Sequence, residues 1–136
     1  MEKHQILREE FIKALNNRIT ETNSHAEFLK NDDSNDEAML EKIKTNVMDI
    51  FHKMFNASYN KVYGKPNSKI ENSEDENYKN LYLAYMSFFD KIPSQWIANH
   101  AKAKEHNMYK EQLIEEIKIN TANEIKDMFI LFYKKY

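Results

Sequence analysis

Apolar residues recur at intervals of three and four along several long stretches of the chain, the spacing that gathers one face of an α-helix. In the first stretch, about 2–30, Ile12, Leu15, Ile19, Thr22, Ala26 and Leu29 step in this way, with Leu7 and Phe11 extending the stripe upstream. The polar run Asn31-Asp32-Asp33-Ser34-Asn35 interrupts it. Ser34 followed by Glu37 has the form of a capping box and predicts the next helix start. The second stretch, about 35–62, places Leu40, Ile43, Val47, Ile50, Met54 and Ala57 on one face, widened by Phe51, Phe55 and Tyr59. Gly64 and Pro66 predict its end, the glycine as a left-handed cap. Residues 65–72 read as a loop.

Ser73 and Glu76 form a second capping box, predicting a third helix to about 91. It is apolar on nearly all sides, through Tyr78, Leu81, Tyr82, Leu83, Tyr85, Met86, Phe88, Phe89 and Ile92, which predicts the centre of the core. Pro93 then predicts a restart, with Ser94 as N-cap of a shorter helix to about 105. After a break at His106-Asn107, the stripe resumes as Leu113, Ile114, Ile117, Thr121, Ile125, Met128, Phe129 and Phe132. The expected fold is all-α: one domain over 1–136, a compact bundle of four to five helices. Beyond the shared heptad-like spacing the chain shows no internal repeat. The seams of the first two helices also suit self-association into a homodimer.

Composition agrees with this picture. The chain has 136 residues, 41% hydrophobic and 31% charged, with one glycine and two prolines. Folds rich in tight turns spend both residues more freely. No apolar run approaches the roughly 18 residues of a membrane span, and Glu2, Glu9 and Glu10 stand where a signal peptide would be apolar. With no cysteine, disulfides, thiolate zinc sites and thiol chemistry are absent. The expected location is cytoplasmic, so Asn56-Ala57-Ser58 reads as a chance sequon. Eighteen of the twenty basic residues are lysine. That bias, with abundant asparagine and isoleucine, suggests an AT-rich genome, or a phage or mobile element within one.

Candidate chemistry is sparse. The histidines are His4, His25, His52, His100 and His106; no two lie one helical turn apart, and no Glu-x-x-His pair exists. Only a metal site assembled across helices remains open, and solvated or capping histidines are the default. The expectation is no metal and no cofactor. The single glycine rules out a phosphate-cradling loop, and no Gly-x-Ser-x-Gly elbow is present. No catalytic residues emerge, and the expected protein is not an enzyme. The acidic pairs Asp32-Asp33 and Asp36-Glu37 and the run Glu74-Asp75-Glu76 sit at helix starts, where they favour the helix dipole.

With a net charge of -2, nothing global attracts nucleic acid or membrane. Locally, Trp96 to Tyr109 combines small residues with excess positive charge. Ile97-Ala98, Ala101 and Met108-Tyr109 have a spacing similar to the helix-turn-helix of tetracycline-repressor-type regulators, although that turn is Gly-Val-Ser where this chain has Lys102-Ala103-Lys104. The resemblance implies nucleic-acid binding through residues 94–110, the alternative reading. By elimination, the favoured reading is a non-catalytic protein-binding module, an inhibitor, immunity or accessory factor acting by steric blocking. Candidate partner-binding residues are Tyr59, Tyr63, Trp96, His100, Lys102, Lys104 and Tyr109. Eight tyrosines are many for one core, so some are expected at the surface.

Overall fold

The structure, a computed structural model, describes residues 1–64 and 72–136. Four α-helices follow in order: α1 (Lys3–Asn31), α2 (Asn35–Tyr63), α3 (Glu74–Glu105) and α4 (Tyr109–Lys134). They form an up-down-up-down bundle of two antiparallel hairpins, α1–α2 and α3–α4. Helices α2 and α4 each pack against all three others. The centre of the core is therefore shared by α2 and α4, not held by α3. Most of the sequence-predicted loop, residues 65–71, lies outside the described residues.

The core is aromatic. Phe11, Phe55, Tyr85 and Phe129, one ring from each helix, are all fully buried. Every pair among them is in contact, with centroids from 4.7 to 6.1 Å apart and mostly edge-to-face. Edge-to-face pairs set the positive rim of one ring against the negative face of another, adding about 0.5–1.5 kcal/mol per pair beyond area burial. The Tyr85 hydroxyl donates to the Phe51 carbonyl at 2.9 Å, so the one polar atom in the tetrad is satisfied. Toward the two hairpin turns the interior becomes small and polar: Thr22 bonds Thr45 at 2.7 Å, with Ala26, Ala103 and Glu115 buried nearby in sequence. Among the described residues, no hydrogen bond or ion pair joins the hairpins further toward the turns than Arg18 to Glu124.

Several local expectations are corrected. Helix α3 runs unbroken through Pro93, so the described residues form four helices and Ser94 is no N-cap; its hydroxyl donates back to the Lys91 carbonyl at 2.6 Å. The proline ring is itself buried, and its packing recovers only part of what the lost backbone donor costs, the rest of the long helix carrying α3 through the position. Ser34 makes no side-chain cap bond. Its turn closes through Asp33, at φ 59°, and the Ser34 amide donating to the Leu29 carbonyl at 2.8 Å. Gly64 is right-handed rather than left-handed, and a Cβ there would collide with the Asn60 carbonyl oxygen. Ser73 does cap α3, accepting from the Glu76 amide at 3.2 Å.

The structure also reveals an internal repeat that periodicity alone hides. Features of the first hairpin recur in the second at a constant offset of 74 residues. Among the described residues, Asp33 and Asn107 are the two non-glycine residues with positive φ, at 59° and 57°. Ser34 to Leu29 and Met108 to Ala103 are matching 2.8 Å closures. Leu7, Phe11, Leu15 and Phe55 correspond to the equally buried Leu81, Tyr85, Phe89 and Phe129. Between α2 and α4 the register gives nine identities: Glu37/Glu111, Glu41/Glu115, Ile43/Ile117, Lys44/Lys118, Asn46/Asn120, Met54/Met128, Phe55/Phe129, Tyr59/Tyr133 and Lys61/Lys135.

Truncating the tetrad at Phe129→Ala is expected to cost about 3–5 kcal/mol in urea unfolding, since four helices share the void. Pro93→Ala is expected to act oppositely. Restoring a donor to the Phe89 carbonyl and removing a helix-interior proline should offset the small packing loss and stabilise by roughly 1–2 kcal/mol, read as a higher urea midpoint.

Candidate functional site

The candidate residues divide between the two ends of the bundle. Trp96, His100, Lys102, Lys104 and Tyr109 lie at the α3–α4 tip. Tyr59 and Tyr63 lie at the opposite end and are corrected as surface anchors: each is only 9% exposed. Their rings pack against one another and against His4, with Tyr63 stacked on His4 at 3.9 Å between centroids and the other two contacts tilted, because the α2 stripe continues to its last turn. Part of the tyrosine surplus is absorbed by ring contacts, including Tyr78 stacked on Tyr133 at 4.5 Å, while Tyr109 and Tyr136 are exposed as expected.

At the tip, the chain turns through His106, Asn107 and Met108. Tyr109 is 73% exposed, Ile97 56%, Met108 46% and Leu113 45%. Trp96 is half-buried against α4 with the Lys118 ammonium 5.9 Å from its ring, and His100 bonds Glu116 at 3.0 Å. Lys102 and Lys104 are exposed, their α3 positions in its last turn favouring the helix dipole. Contacts from Tyr78–Tyr133 to His100–Glu116 show α3 and α4 running antiparallel along their length. A DNA-reading helix-turn-helix instead crosses its helices at about 90–120°.

Beside the turn is a recess of about 290 Å³ lined by Asn99, Lys102, Ala103, His106, Met108, Glu111 and Glu115. Glu115 is 9% exposed; one carboxylate oxygen takes Lys118 at 3.2 Å, and the other, Oε2, is buried without a partner. The internal repeat gives this atom its context. Its counterpart Glu41 takes Lys44 at 2.7 Å on one oxygen and His25 at 3.2 Å on the other. The residue at the His25 position in the second hairpin is Asn99. A carboxylate complete in one hairpin is thus half-complete in the other.

At the opposite end, Glu2, His4 and Glu74 bring one donor atom each within 4.8 Å of the others. His4 Nδ1 is 2.6 Å from Glu74 and 3.6 Å from Glu2. Tyr63 adjoins them with its hydroxyl buried and unpartnered; burial pushes that hydroxyl's pKa well up, and the Glu74 and Glu2 charges push it further. These ligands are spread over more than 70 residues, which is why spacing rules missed them. A groove of about 870 Å³ between α1 and α2, lined by Arg8, Lys13, Asn16, His52 and Asn56 among others, sets no nucleophile beside a base. No helix among the described residues is long and apolar enough to cross a membrane.

The molecule is thus an all-α four-helix bundle of two repeated hairpins. Compared with protein-family models, curated proteins and solved structures, the chain matches none of them.

Glu41 supplies a pH prediction. Burial raises its pKa, but hydrogen bonds from Lys44 and His25 outweigh that and leave it below the usual carboxylate value of 4.5. A carboxylate depressed in the folded state contributes stability above its unfolded pKa, lost as pH falls through the folded value. Glu41→Gln should therefore destabilise the protein at pH 7, the difference shrinking as pH drops below about 4.5; urea midpoints across pH check this.

Proposed function

We propose that this protein is a non-catalytic protein-binding module that engages its partner through the α3–α4 tip. The observation that carries the reading is the unpartnered Glu115 oxygen beside a recess lined by the exposed Met108, at a tip that also exposes Tyr109, Ile97 and Leu113. Interfaces concentrate their energy in an aromatic or aliphatic anchor surrounding a desolvated polar contact. Tyr109, Ile97, Met108 and Leu113 supply the anchors. The partner supplies a basic side chain, which enters the recess and occupies the position His25 holds against Glu41. A bound module of this size acts by covering its partner's surface, as an inhibitor, immunity or accessory factor does.

The test is capture from lysate of the native source, with and without nuclease, compared across variants. A protein that survives nuclease is expected, with Tyr109→Ala and Glu115→Gln each weakening its binding by about 2 kcal/mol or more. Replacing Lys102, Lys104 and Lys110 by alanine together should change affinity little. Loss of all captured material on nuclease treatment, or on the triple lysine change alone, overturns the reading in favour of nucleic acid.

A further inference from the structure

We propose that Glu2, His4 and Glu74 form a binding site for a divalent transition-metal ion of the zinc class, joining the two hairpins at the end where α1 and α3 begin. The donors come from both halves of the repeat: Glu2 and His4 from the start of the first hairpin, Glu74 from the first turn of α3. A zinc ion bonds imidazole nitrogen at about 2.0–2.1 Å and carboxylate oxygen at about 2.0–2.2 Å, which places neighbouring donors roughly 3–3.5 Å apart. The 2.6 and 3.6 Å separations around His4 Nδ1 bracket that distance, so the ion enters with small side-chain rotations. A donor set of one imidazole and two carboxylates suits zinc-like ions, whereas magnesium and calcium take oxygen alone.

Two further features support the site. The His4 ring is stacked on Tyr63 with planes 10° apart, which holds the imidazole plane before any ion arrives. Tyr63 lines the same recess of about 530 Å³, with Asn72 and Asn77, and its hydroxyl is a buried polar group lacking a hydrogen bond. Three protein ligands leave a tetrahedral zinc one open position. A water there gives the hydroxyl its missing partner. The hydrogen bond between His4 Nδ1 and Glu74 gives way to the ion, which takes both atoms as ligands. The other two histidine–carboxylate pairs, His25–Glu41 and His100–Glu116, carry one carboxylate each and lack a third donor.

The test is titration of the full chain with zinc chloride by calorimetry, with thermal unfolding in parallel. One equivalent is expected to bind and to raise Tm by several degrees, as a ligand that holds only the folded state does. Glu74→Gln keeps the side-chain size and an acceptor for His4. It should weaken zinc binding about tenfold or more, and Glu2→Gln should weaken it too, while His100→Asn binds as the parent does. Undiminished affinity in Glu74→Gln and Glu2→Gln, or no stoichiometric binding by the parent chain, overturns the proposal. The site lies at the far end from the α3–α4 tip, so Tyr109→Ala should leave zinc binding unchanged whatever becomes of the partner.

Discussion

Everything in this bundle depends on four rings meeting at one level. Phe11, Phe55, Tyr85 and Phe129 touch in all six pairings, and each belongs to a different helix. Close-packed interiors resist sliding because a displaced ring opens a void on one side and a clash on the other. One layer of this kind therefore sets the register of all four helices at once. Set that register, and His4 comes to Glu74, Lys3 to Asp75 and Glu10 to Lys135 across the hairpins. The two lysine pairs are solvent-screened and add little to stability, and the His4–Glu74 contact is part-buried. They follow from the register and do not set it.

The repeat explains why the ends differ. Two hairpins with the same turn, the same layer positions and the same Glu–Lys pair were free to change at sites the shared core does not constrain. Position 25 carries histidine and its counterpart carries asparagine, which alone turns a completed carboxylate into an open one. Likewise Thr22, which bonds Thr45, corresponds to Trp96, which rests on α4. At this level the first hairpin sets a polar bond and the second an aromatic ring; beyond it both expose apolar side chains, Phe28 and Met39 in the first and Ile97, Met108, Tyr109 and Leu113 in the second.

Legibility in the sequence followed the range of the signal. The helices of the stripes Leu7–Leu15, Val47–Phe55 and Ile125–Phe132 were readable because a face repeating every three or four residues is a local property. The break at His106-Asn107 was readable for the same reason. Pro93 misled because the rule that proline ends a helix weighs one lost donor and a ring clash, while the burial that partly offsets them comes from other helices. Tyr59 and Tyr63 misled because a count of tyrosines is blind to packing against a histidine more than 50 residues upstream. The repeat stayed hidden because between α1 and α3 it preserves size and burial more than identity: Phe11 becomes Tyr85 and Leu15 becomes Phe89. The His4 cluster was beyond reach, since its geometry exists only after the register of distant helices is set.

The two ends also stand differently with respect to solvent and to change. Where α1 and α3 begin, stacked rings and cross-hairpin bonds lock the helices together, so a group placed there is held rigidly. A rigid constellation is what selective coordination of a small ion requires, because ligands that must be gathered cost entropy on binding. Toward the turns, α3 and α4 hold one another but, among the described residues, make no polar bond to the first hairpin beyond Arg18, and the tip keeps apolar side chains exposed. A surface of that kind is stabilised only by what comes from outside. The same tetrad that locks one end leaves the other with exposed apolar side chains, and on the proposed reading the half-satisfied Glu115 is where a partner's charge would sit.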